Sequence, residues 1–315
     1  MDKPRFGIVG VGPVGSIMAA HLAKAGHSVT LVDVLKPHLD EIKRSGLSLT
    51  GFKEMNAPFS EKNLCYNINE MKRKELDVVF ISVKASVLSQ ILPVLKNVTQ
   101  PDTTVVSLQN GLDNEEYIAE VFGKKNTLRI VVNYAGNLID NGKVRISFFN
   151  APNYIGTIDP AAEDTARMLA AVITAADLET VFTRELKKYE WEKIILNAAL
   201  SPVCALTRRT MKQMMEFKET RDLAEAILRE GIAVAEANGI HFKPGFLKFG
   251  MDYLDKAGHH RTSMHVDIEK QNPTEIGFIN DKIVEYGKRK GIPTPYNSTI
   301  VSLIKGAELP EYIGA

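Results

Sequence analysis

The run Gly10-Val11-Gly12-Pro13-Val14-Gly15 restricts this chain more than any other feature. It fits G-x-G-x-x-G, follows the β-prone run Arg5–Val9 and opens the helix-like run Val14–Ala25, which Gly26 closes as a C-terminal cap would. A strand, a tight turn and a helix in that order use the three glycines differently. Gly10 permits the turn, Gly12 lets the backbone approach a pyrophosphate, and Gly15 lets helix and strand pack closely. The helix amino end adds N–H groups and partial positive charge for phosphates. A dinucleotide is therefore expected against Gly10, Val11, Gly12, Pro13, Val14 and Gly15. The next strand, Ser28–Val32, ends at Asp33, 18 residues beyond the last glycine. A carboxylate there can accept from the adenosine ribose hydroxyls and would repel a 2′-phosphate. Val34 and Leu35 follow it, and the nearest cation is Lys36. The expectation is NADH, with NADPH left open.

Strand and helix signals alternate through the first half. Asp77–Val83 and Thr103–Leu108 are apolar, β-branched runs suited to strands buried on both faces of a parallel sheet. Between them Val87, Leu88, Ile91, Leu92 and Leu95 repeat at helical spacing. Leu128–Val132, Val144–Phe148 and Tyr154–Ile158 read as later strands, with Asn141-Gly142 a turn between the first two. After Leu178–Thr183 strand signals nearly stop. Arg184–Leu200, Asp222–Ala237 and Thr274–Lys290 carry apolar stripes at spacings of three and four; Asn238-Gly239 and Gly291 end two of them, and Pro293 and Pro295 follow the last. The expected fold is α/β: a Rossmann-type doubly wound sheet over residues 1–183 that binds the dinucleotide, then an all-α domain over 184–315 for substrate and dimerisation.

Composition removes other classes. Lys plus Arg number 39 and Asp plus Glu 38, so no charge excess predicts a nucleic-acid or anionic-membrane partner. No apolar run approaches the roughly 18 residues of a membrane span, and the first 25 residues lack signal-peptide order. Cys65 and Cys204 stand alone, and the histidines form no metal pattern; no metal and a reducing, cytoplasmic location are expected. Trp191 and the Met211–Met215 stretch read as packing residues.

Candidate chemistry sits where strands end and along one helix. Lys84 follows Asp77–Val83 and Asn110 follows Thr103–Leu108; carboxyl ends of parallel strands bind ligands in open sheets. An exposed helix-start lysine and an Asn-Gly turn fit those positions equally well. Lys193 and Asn197 share one helix face, which Ser201 extends. A solvated helix face fits that spacing too. Asn272-Pro273-Thr274-Glu275 reads as an N-cap, an N1 proline and a capping-box acid, so capping alone could explain Glu275.

GVGPVG at the start, VKA at 83–85, QNG at 109–111, WEKIILNAALSPVCAL at 191–206 and TSM…D…PTEIGFIN at 262–280 occur in this order. Together they resemble the ketopantoate reductase (2-dehydropantoate 2-reductase) family over nearly the whole chain. The resemblance implies a Rossmann domain followed by a helical domain of the 6-phosphogluconate dehydrogenase C-terminal type. It implies reduction of the ketone of 2-dehydropantoate to (R)-pantoate in coenzyme A biosynthesis, usually with NADPH, and a homodimer. By position, Lys193 matches the catalytic lysine that protonates the carbonyl oxygen. Glu275 matches the acid that hydrogen-bonds the substrate hydroxyl. Asn197 and Ser263 match substrate-binding positions, with Ser263 near the carboxylate. Lys84 and Asn110 match residues lining the cleft between nicotinamide and substrate.

Three positions depart from the family's pattern. Ser201 stands where Asn is common, His260 lies about where another substrate-facing Asn is found, and Asp33-Val34 replaces an Arg-containing strand end. The first two open the alternative of another branched 2-oxo acid or an imine as substrate. A dinucleotide-binding sensor without turnover is the alternative outside enzymes.

Overall fold

The computed structural model describes residues 3–259 and 261–309. The chain divides into two compact units. The first comprises the residues up to Gln109 and Asp113–Leu186; the second comprises Asn110–Leu112 and the chain from Lys187 onward.

In the first unit the strands are β1 (Phe6–Val9), β2 (Val29–Val32), β3 (Leu47–Gly51), β4 (Met55–Ala57), β5 (Leu64–Cys65), β6 (Val78–Ile81), β7 (Thr104–Ser107), β8 (Thr127–Val131), β9 (Tyr134–Asp140), β10 (Lys143–Phe149), β11 (Asn153–Thr157) and β12 (Thr180–Phe182). Its helices are α1 (Pro13–Lys24), α2 (Lys36–Ser45), α3 (Leu88–Val98), α4 (Asn114–Phe122) and α5 (Glu163–Ala175). An eight-stranded sheet runs β12-β11-β8-β7-β6-β1-β2-β5. Neighbours are parallel from β5 to β8; β11 then turns antiparallel to β8, and β12 is parallel to β11. All four residues of β1, β2 and β6 are buried, which is why these strands read as unbroken apolar runs. The strand order reverses between β1 and β6, so the glycine turn after β1 and the Ser82-Val83-Lys84 segment after β6 meet at the switch point where such sheets bind ligands.

The doubly wound sheet expected over residues 1–183 is joined by a second sheet. β9 and β10 belong to this second sheet, of order β4-β3-β10-β9. The Asn141-Gly142 turn joins these two strands, not Leu128–Val132 to Val144–Phe148. Most of β9 is not buried, so its apolar signal is too weak to announce a strand. Helix α1 packs on all four strands of the second sheet as well as on β1 and β2. Lying between two sheets, it buries eight consecutive residues, Gly15–Leu22, and so carries no amphipathic stripe.

From Lys187 onward the regular elements among the described residues are all helices. The helices are α6 (Leu186–Thr207), α7 (Met211–Glu216), α8 (Lys218–Ala237), α9 (Phe246–Asp255), α10 (Ser263–Glu269), α11 (Asn280–Lys290) and α12 (Pro295–Ala307). The core gathers Trp191, Ile194, Ile195, Ala198 and Ala199 of α6 against Ile227 and Leu228 of α8 and Ile283 of α11. Gly231 lets α8 approach α6: a Cβ there would stand 3.0 Å from Ile195. Thr274–Lys290 is not one helix. A 3₁₀ turn, Ile276–Phe278, precedes α11; Pro293 and Pro295 follow α11 as expected, and Pro295 also opens α12 at its first position. Among the described residues, no helix is long and apolar enough to cross a membrane.

Candidate active site

Gly10 has φ +95, and a Cβ there would lie 2.7 Å from the Val83 amide nitrogen. A Cβ on Gly15 would fall on the Gly10 carbonyl oxygen and on Ser82 Oγ. Around Gly12 a Cβ would meet nothing within 4 Å. Two glycines are therefore required by the fold, and the third faces the open space a phosphate group needs. Gly12 occupies the N-cap position of α1, Pro13 begins the helix, and no side chain caps it. The first-turn N–H groups of α1 are thus left for an anion.

Side chains brace the turn from three directions. Ser82 Oγ donates to the Gly10 carbonyl at 2.7 Å, and Ser16 Oγ donates to the Val11 carbonyl at 2.9 Å. Asp33 accepts the Val11 N–H at 2.6 Å on one oxygen and the Leu35 N–H at 2.8 Å on the other. The carboxylate that the sequence assigns to ribose is thus also part of the turn's own frame. Beyond it Val34 is 86% exposed. His38 is buried behind this corner, where its Nδ1 accepts the Gly142 N–H at 2.9 Å. Burial holds its imidazole below the ordinary value, against the opposing pull of Asp33. Lys84 is half-buried three residues beyond β6, just before a 3₁₀ turn.

In the second unit Lys193, Asn197 and Ser201 stand one turn apart on α6. Lys193 and Asn197 are half-buried and Ser201 is buried, so the face is not the freely solvated one that spacing alone allows. Pro202 inside the helix cannot donate to the Ala198 carbonyl. Asn280 Nδ2 takes that role at 3.1 Å and also donates to Asn297 Oδ1 at 3.0 Å. A buried amide thus holds α6 between Asn197 and Ser201. Thr262 Oγ1 donates to the Ser201 carbonyl at 3.3 Å and accepts the His265 N–H at 3.2 Å, capping α10. Ser263, the first residue of that helix, is exposed. His260 lies outside the described residues.

The capping reading of Glu275 is overturned. α11 begins at Asn280, and Glu275 makes no side-chain cap to the 3₁₀ turn that follows it. Asn110 Nδ2 instead donates to Glu275 Oε2 at 3.4 Å, while the Leu112 N–H donates to the Phe278 carbonyl at 3.0 Å. Two segments that sequence analysis singled out separately therefore meet. Ser82 and Asn280 join the site's frame without having stood out in the sequence. Ser82 ends the otherwise apolar run Val78–Ile81, a usable signal; Asn280 carries none, because its role depends on a proline 78 residues away.

Residues 6–160 match the family described as Ketopantoate reductase PanE/ApbA, and residues 185–308 match its C-terminal domain. The chain is 31% identical over 309 residues to the 2-dehydropantoate 2-reductase of Archaeoglobus fulgidus, covering 98% of this chain and 99% of that one. The solved 2-dehydropantoate 2-reductase of Geobacter metallireducens is 26% identical with a TM-score of 0.88, covering 96% of this chain and 99% of the other. The ternary structure of D-mandelate dehydrogenase with NADH and anilino(oxo)acetate has the same fold: TM-score 0.87, 24% identity, 96% and 98% coverage. On matches that span both of its units, this chain belongs to the ketopantoate reductase PanE/ApbA family.

Proposed function

We propose that this chain reduces a 2-oxo acid at the expense of a reduced nicotinamide dinucleotide, with 2-dehydropantoate as substrate and (R)-pantoate as product. The observation that carries the reading is the half-buried Lys193–Asn197–Ser201 face of α6, in a chain of this family. The glycine turn, with its open space at Gly12, fits a pyrophosphate, and Asp33 is suited to the ribose hydroxyls of NADH. When bound, the dinucleotide supplies hydride. As the ketone carbon accepts it, negative charge grows on the carbonyl oxygen. The Lys193 ammonium stabilises that charge and then donates its proton there. Glu275 accepts a hydrogen bond from the substrate hydroxyl, Asn197, Ser201 and Ser263 hold the rest of the substrate, and Lys84 and Asn110 align the reacting groups.

A second reading, reduction of another branched 2-oxo acid, is favoured by Ser201, which is buried and shorter than the asparagine common at that position. The D-mandelate dehydrogenase relative supports the fold alone and leaves the acid open. The test is nicotinamide absorbance with a panel of 2-oxo acids and either cofactor. NADH oxidation fastest with 2-dehydropantoate supports the first reading. A faster rate with another acid selects the second. Dinucleotide binding without turnover of any acid would leave a sensor.

A further inference from the structure

In the first unit, β8 carries one charged residue within an apolar run, Arg129, which is 3% exposed. Its Nη1 lies 3.1 Å from Oε2 of Glu115, a fully buried residue in the first turn of α4. Its Nη2 donates to the carbonyl of Gln109 at 2.9 Å. Gln109 is itself buried. Its Nε2 donates to the Val83 carbonyl at 2.8 Å, and its Oε1 accepts from Ser107 Oγ at 3.2 Å. A continuous chain therefore runs from buried Glu115 through buried Arg129 and Gln109 to half-buried Val83. Gln109, inside this chain, stands a residue before Asn110, and its Val83 end stands a residue before Lys84.

Stability is a poor reason for such a pair. Taking both charges out of water is seldom repaid by their attraction, and apolar residues of similar volume usually serve as well. What an arginine offers instead is a rigid planar fork that holds two acceptors at a set angle. The Gln109 carbonyl lies beyond the last residue of β7, where no ladder bond fixes it.

We propose that the Glu115–Arg129 ion pair is a positioning device. It fixes Gln109 and, through it, the strand ends that carry Lys84 and Asn110. Its catalytic consequence rests on the reaction proposed above; Arg129 and Glu115 are positioning residues and touch neither substrate nor cofactor in that reading.

Two variants test it. Arg129→Lys keeps a charge opposite Glu115 and loses the fork. The double variant Glu115→Leu, Arg129→Met removes both charges and leaves no unpaired one buried. Amide hydrogen exchange over residues 82–86 and 108–112 is expected to quicken by about tenfold or more in each variant, with α5 unchanged. With NADH and 2-dehydropantoate, kcat is expected to fall by about ten- to a hundredfold, while the NADH dissociation constant moves by less than about threefold. Unchanged exchange at both segments overturns the proposal. Loss of folding in both variants also overturns it, because the pair would then be holding the fold rather than the strand ends. A wild type that turns over no 2-oxo acid refutes the reaction, and the exchange experiment still decides the role of the pair.

Discussion

The glycine turn and the α6 face perform their tasks by opposite means. The turn is made of backbone, and its key positions matter for the side chains they lack: Gly10 and Gly15 have no room for a Cβ, and Gly12 has room that a ligand needs. The α6 face is made of side chains projected from a helix whose other faces do the packing, through Ile194, Ile195, Ala198 and Ala199. On the proposed reading, folding and binding fall on different glycines of one short turn, and on different faces of α6.

The sharpest way to break this contrast is Lys193→Ala. It should lower kcat by about a hundred- to ten-thousandfold in the absorbance assay and move the melting temperature by no more than about 3 °C. Near-normal turnover would remove Lys193 from the chemistry. At the turn, Gly15→Ala should destabilise the protein by about 1–3 kcal/mol in urea titration. Gly12→Ala should melt normally and bind dinucleotide about tenfold more weakly or worse, since about 1.4 kcal/mol of crowding is enough. If the two glycine variants behave alike, the division of labour within the turn is wrong.

Glu275→Gln should raise KM for the 2-oxo acid by about tenfold, as expected for a charged acceptor made neutral. Its melting should be unchanged, whereas a lost helix cap would cost about 1 kcal/mol. Exchanging Asp33 for Ser together with Val34 for Arg should shift the ratio of kcat/KM values towards NADPH by about tenfold, through one new phosphate contact. An unmodified protein that already prefers NADPH would refute the role given to Asp33. The smallest expected effect concerns pH. Burial holds His21 and His38 below their ordinary value of 6.5. Below that value the unfolded chain takes up protons that the native chain refuses, so stability should fall as pH drops from 6.5 towards the lowered native values. Urea titration at about pH 7.5 and about pH 5.5 checks the sign, and exchange data should place the loss in the first unit.

Elements buried on both faces were legible in the sequence. β1, β2, β6 and β7 are largely apolar because both faces of the sheet are covered there, and the glycine turn between β1 and α1 names its own geometry. What was not legible depends on partners distant in sequence. β9 is half solvated and pairs across a turn, so its own residues carry little signal. Pro295 follows one helix and also begins the next, a second role that only the position of α12 reveals. In the candidate site the residue types could be picked out, and their company could not. Glu275 reads as a cap because its neighbours fit that pattern, and only the start of α11 at Asn280 and its placement beside Asn110 remove the reading. Arg129 gave a local sign, one charge in an apolar strand, but not the acceptors it grips.

Asp33 carries a consequence for how this protein could change over time. Both of its oxygens are engaged by main-chain N–H groups, one of them in the glycine turn. If Asp33 selects the reductant as proposed, a lineage that drifted to another residue here would alter that choice and loosen the glycine turn in the same step. The viable route lies through the exposed neighbour Val34 first, where a new cation costs the frame nothing, and only afterwards through the aspartate.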